Sequence, residues 1–173
     1  MGFTLLKGCK FSVDWKEARS NFYKSLNAII SKLGTSPQSV DIILKLFVTN
    51  CLPCLTYAFA AAPAEGKEFE KLAFAYNSIF YKLFGVKTKK EIAFAQLHCG
   101  FLDFSNLQNF HRLSFLSKLV KAGSINKGTR LDETDWCDYE RLMNSYNINL
   151  SSYGSNIKFC VYSYTELYLV TIC

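Results

Sequence analysis

The sequence predicts a mainly all-α fold, a helical bundle with a short N-terminal strand and a weakly structured C-terminal tail. Three observations carry this. Apolar residues recur at steps of three and four through most of residues 13–123, helix-starting and helix-stopping residues stand at the ends of those stretches, and runs sufficient for an α/β sheet are missing. The 15 Phe, 10 Tyr and 2 Trp among 173 residues supply enough bulk for a real core and argue against disorder.

Phe3 to Phe11 reads as a short strand-like opening, and Asp14 to Leu33 as the first helix. Asp14 can cap its free N–H groups and Glu17 can reach back to complete a capping box, each worth about 1 kcal/mol. Trp15, Ala18, Phe22, Leu26, Ile29 and Leu33 fall on one stripe, and Gly34 stops the helix. Ser36-Pro37 opens the next segment, whose apolar face is Ile42, Ile43, Leu46, Phe47 and Cys51. Pro53 has no N–H for the preceding turn and crowds the carbonyl four residues back, so a kink or break is expected there. The run continues to Ala62, followed by a linker from Pro63 to Gly66. Phe69, Leu72, Ala73, Tyr76, Ile79, Phe80 and Leu83 mark a helix stopped by Gly85. Thr88 with Glu91 is a second capping box, opening a short helix that Gly100 closes. Leu107, Phe110, Leu113, Leu116 and Val120 make a further helix ending at Gly123. Beyond it the helical signal weakens into a charged stretch around Asp132 to Glu140, an Asn/Ser-rich linker to Asn156 and a β-leaning apolar tail from Ile157 to Cys173.

The net charge of +6 is uneven: residues 1–123 carry +8 and residues 124–173 carry −2. The basic part is the one to read for anionic partners. The seven cysteines are odd in number and scattered through helical patterns, and no secretory signal pattern opens the chain. Reduced thiols and an intracellular location, cytoplasm or nucleus, are expected.

Cys51 and Cys54 have the spacing of a zinc half-site or redox pair, yet they sit in an apolar helix where cysteine packs as a small hydrophobe, and only His98, Cys99 and His111 could complete a metal site. Residues 42–62 are long enough to span a bilayer, but Lys45, Asn50 and Pro53 interrupt them and no aromatic belt flanks them, so no membrane partner is expected. His98 beside Cys99 is no nucleophile pair, because adjacent helical residues point apart. No glycine-rich phosphate loop, paired aspartates or nucleophile elbow is present, so neither catalysis nor a small-molecule substrate is expected of this chain. What remains is a basic, aromatic helix flank, Lys16, Arg19, Tyr23, Lys24 and Asn27, with Lys87, Lys89 and Lys90 on a later loop. Cations on a rigid helix hold phosphates while tyrosine and asparagine touch sugar or base edges. A plain solvated helix face is the alternative.

Several segments in order resemble a known family. They are Lys10-Phe11-Ser12-Val13-Asp14-Trp15, then Ala18-Arg19-Ser20-Asn21-Phe22-Tyr23-Lys24-Ser25-Leu26-Asn27-Ala28-Ile29, then Cys51-Leu52-Pro53 with Leu55 and Tyr57. Leu72, Ala75, Asn77, Phe80, Lys82, Leu83 and Phe84 come next, then Arg112, Phe115, Leu116 and Lys118. The series, over residues 2–122, is similar to the region C-terminal to the palm in reverse transcriptases of LINE-type (non-LTR, jockey-like) retrotransposons. That resemblance implies a helical thumb, which in the family grips the primer–template duplex while the palm adds nucleotides. It implies three parts: residues 1–12 as the remnant of a palm-closing strand, 13–123 as a thumb-like domain, and 124–173 as a tail outside the resemblance. Arg19, Tyr23 and Asn27 become the expected contacts to an RNA–DNA or DNA duplex.

The palm's metal-binding aspartates have no counterpart here, so the resemblance implies a truncated copy without polymerase activity or cofactor of its own, the Mg2+ belonging to the parent enzyme. A surface left bare by the missing palm would favour self-association. The competing expectation is a free-standing helical interaction module, and a membrane-anchored protein stands behind both.

Overall fold

The computed structural model describes residues 5–6, 12–60, 62–125 and 133–148, together with 157, 160, 161, 163 and 164. It is mainly α-helical, in the class the apolar spacing predicts. Its residues group into two compact units, Met1–Cys99 and Gly100–Cys173, so the helix that opens at Phe104 clusters with the C-terminal residues rather than with the helices before it.

In the first unit, the strand expected across Phe3 to Phe11 is not supported. The extended backbone described is a two-residue antiparallel pairing, Leu5 opposite Val13 and Leu6 opposite Ser12, too short to act as a sheet. Helix α1 (Trp15–Leu33) starts at Asp14, whose carboxylate accepts the Lys16 N–H at 2.8 Å. Trp15, Ala18, Phe22 and Leu26 are buried, and Gly34, at φ 67°, takes a backbone angle that L side chains avoid.

A 3-10 turn (Pro37–Ser39), α2 (Val40–Leu46), a π turn (Phe47–Cys51) and α3 (Leu52–Thr56) then run as one helical rod. Pro53 therefore does not break the helix. The ring is accommodated by the π turn just before it, where the Leu52 N–H reaches back five residues to the Phe47 carbonyl. Polar side chains reach the carbonyls of this stretch: Thr49 Oγ1 donates to Lys45 O at 3.1 Å, and Cys54 Sγ to Asn50 O at 3.4 Å. Ile43, Phe47, Cys51 and Leu55 are buried, but Ile42, expected on that face, is 51% exposed, and Tyr57 is 62% exposed. The rod Pro37–Thr56 is long and apolar enough to cross a membrane by length and composition, and 39% of its most apolar window is buried within the protein.

Helix α4 (Gly66–Phe84) buries Leu72, Ala75, Tyr76, Ile79 and Phe80, and ends at Gly85 in the left-handed region. Helix α5 (Lys89–His98) opens with the expected Thr88/Glu91 capping box and packs on α4, where Gln96 Nε2 donates to Asn77 Oδ1 at 2.8 Å. Ring contacts fix the directions. Trp15 meets Phe59 at 5.4 Å and Phe22 meets Phe47 at 6.0 Å, so the rod returns antiparallel to α1. Phe47 also meets Tyr76 at 6.0 Å, placing α4 on the same aromatic core.

The second unit holds α6 (Phe104–Ile125) and α7 (Glu133–Ser145). Asp103 opens α6 by accepting the Ser105 and Asn106 N–H groups at 2.9 and 3.1 Å. Here the tail departs from expectation: the charged stretch from Glu133 is a helix that buries Tyr139, Leu142 and Met143. Two of its acids, Asp135 and Asp138, turn toward α6, where buried Arg112 is bridged to both. Tyr146 adds a polar lock, accepting from Asn109 Nδ2 at 3.0 Å and donating to Asn106 Oδ1 at 2.5 Å. The described residues between 157 and 164 are helical rather than extended, while the linker at 149–156 and most of the expected β-leaning tail lie outside the described residues.

Candidate nucleic-acid interface

Helices α1 and α4 lie side by side and run in the same direction. Near their starts the Arg19 guanidinium is bridged to Glu68, and toward their ends Lys82 Nζ donates to Asn27 Oδ1 at 2.8 Å. The direction is set by the chain path, since the antiparallel rod between them returns the chain to where α1 began. Amphipathic spacing then leaves each helix one outward side, and the two outward sides adjoin.

Between them is an open groove of about 370 Å³ lined by Arg19 and Tyr23 from α1 and by Glu70, Lys71 and Phe74 from α4. Arg19 and Tyr23 are four apart and so share a helix face. Glu68 ties the two walls together, bonded to Arg19 and, at 2.5 Å, to Lys71. The Lys71 hydrogen bond, with the Arg19 guanidinium behind it, holds the Glu68 carboxyl below the usual carboxylate range. Burial pushes the Tyr23 phenol above its ordinary value, with Arg19 beside it pulling the other way. Phe74 stands 63% exposed at the groove edge, its ring 6.1 Å from that of Tyr81 two turns later.

Of the expected residues, Arg19 and Tyr23 come together in the groove, Lys16 and Lys24 are exposed on α1, and Asn27 is engaged by Lys82. Lys87, Lys89 and Lys90 are exposed around the start of α5. The acid among them, Glu91, is committed to backbone: its carboxylate accepts the Lys87 and Thr88 N–H groups at 2.7 and 3.0 Å, which lowers its pKa. Lys71, Phe74 and Lys82 were not expected at the site. The signal for them was present, since Phe74 falls opposite the buried stripe of α4 and Lys71 and Lys82 on one flank of it, but only the meeting of α4 with α1 makes them part of one surface.

No protein-family model, no curated protein and no solved structure matches this chain. The interface therefore rests on its own geometry.

The competing chemistries gain little support. Cys51 and Cys54 are buried, and burial, with Cys54 adding to it, pushes the Cys51 thiol up to about 11, so it stays protonated and unreactive at neutral pH. Burial likewise raises Cys99, and its neighbour His98 is exposed. Among the described residues no three His, Cys, Asp or Glu side chains gather around a point that could hold a metal.

Proposed function

We propose that the first unit grips the phosphate backbone of a nucleic-acid duplex, as the thumb-like part of an RNA-directed DNA polymerase of the LINE type, without catalysis of its own. The observation that carries the reading is the joining of α1 and α4 into one surface. Exposed Lys16, Lys24 and Lys82 stand on two parallel helices, with Arg19 and Lys71 both held by Glu68 and with Tyr23 and Asn27 on the same helix as Arg19. Cations so fixed sit at repeated intervals along a backbone, as phosphate positioning requires, and carry little sequence information. Lys87, five residues after Lys82, with Lys89 and Lys90, continues the positive charge past the end of α4.

Binding of the intact chain to a labelled RNA–DNA hybrid, measured across a salt series, tests this. Affinity should fall steeply with salt, the slope counting the phosphates neutralised. No binding at low salt, or binding indifferent to salt, would refute it. A salt-insensitive dimer with no nucleic-acid affinity would instead favour the interaction-module reading, for which the exposed Ile42 and Val48 on the rod speak.

A further inference from the structure

We infer that the α1/α4 groove seats an unpaired nucleobase from a single-stranded segment adjoining the duplex, the flanking phosphates lying on the lysines at its rim. The inference rests on the proposed nucleic-acid role and names the part of the ligand that the groove itself takes.

Charge distinguishes the groove from its rim. Within and beside the groove, Arg19 and Lys71 are matched by Glu68 and Glu70, and Glu68 bonds both cations. A phosphate entering there meets no surplus of positive charge and two carboxylates. The surplus stands outside, on exposed Lys16, Lys24 and Lys82. A neutral ring suits the groove and anions suit its edges.

The lining has the matching chemistry. Phe74 offers an open ring face, Tyr23 stands across the groove from it on α1, and the planar Arg19 guanidinium lies one helical turn before Tyr23. Aromatic and guanidinium planes stack on bases of any identity. Glu70 supplies an acceptor for an exocyclic amino group, the contact that carboxylates make to cytosine. Bases in a duplex keep their faces stacked on one another, so only an unpaired base has a face to present. The exposed phenyl of Phe74 has no structural task besides its contact with Tyr81 among those described, and stacking on a base removes it from water.

Fluorescence anisotropy with two labelled RNA–DNA hybrids, one blunt and one carrying a single-stranded overhang, tests the inference in the full chain. The overhang should bind about tenfold more tightly than the blunt hybrid. Phe74→Ala should abolish that advantage and leave the salt slope unchanged, since a phenyl ring releases no counterions. Phe74→Trp should keep the advantage, and its added indole emission, measured against the intact chain, should be quenched by the overhang and not by the blunt hybrid. An overhang advantage that survives Phe74→Ala overturns the base seat while leaving the backbone grip standing, as does an equal loss on both hybrids. Failure of the intact chain to bind either hybrid overturns both readings.

Discussion

Glu68 holds two cations at once, Arg19 across the helix pair and Lys71 one turn along its own helix. It competes with any phosphate for both, so Glu68→Gln should tighten hybrid binding at low salt and steepen the salt slope by about one to two units, as each released cation gains a phosphate. Anisotropy titrations at several salt concentrations measure this, and weaker binding would contradict it. The cost in stability should stay at about 1 kcal/mol, because Glu68 is 40% exposed and solvent screens its pair with the less exposed Arg19. The pH dependence has a definite sign. Lys71 and Arg19 lower the folded pKa of Glu68, so its contribution is complete above the unfolded value of about 4.3 and is lost as pH falls through the lower folded value. Urea unfolding from pH 7 to pH 3 should show that acid loss in the intact chain and a shallower one in Glu68→Gln. That Arg19 and Tyr23 share one helix face was legible in the sequence because four-residue spacing on one helix is a local fact. Their engagement with Glu68, Lys71 and Phe74 was not, because it depends on which side of α4 meets α1.

Helix ends show how far local signals reach. Asp14, Gly34, Gly85 and the Thr88/Glu91 box each act through backbone groups within five residues, and all four mark helix ends in the structure. Pro53 is also a local signal, yet its outcome is not a break, because one extra residue in the π turn Phe47–Cys51 relieves the clash while keeping Phe47, Cys51 and Leu55 in the core. With the backbone already adapted to the ring, Pro53→Ala should destabilise by about 0.4–1 kcal/mol, by freeing the unfolded chain, with little change in helix content. Thermal unfolding monitored by circular dichroism measures it, and a gain in stability would show instead that the proline strains the rod. Helix α7 was hidden for the opposite reason. Its Asp135 and Asp138 look like solvated charges until Arg112, more than twenty residues earlier, is placed beside them.

At the scale of the molecule, every residue of the proposed interface lies in the unit Met1–Cys99, whose aromatic core is closed by Trp15, Phe22, Phe47, Phe59 and Tyr76. A chain ending at Cys99 should therefore melt cooperatively and keep the salt-dependent hybrid binding of the whole protein; a non-cooperative melt by circular dichroism would show that the unit needs its neighbour. The all-α class was legible because it is the sum of many short-range periodicities. The division after Cys99 was not, since it arises from long-range packing. The committed carboxylate of Glu91 bears on how such experiments are interpreted. Lys87, Lys89 and Lys90 crowd the positive end of the α5 dipole, and the Glu91 carboxylate, held there by the Lys87 and Thr88 N–H groups, keeps its charge and offsets part of theirs. Added salt screens these lysines from one another and from phosphate alike. Circular dichroism at each salt concentration therefore separates the release of nucleic acid from any change in the fold.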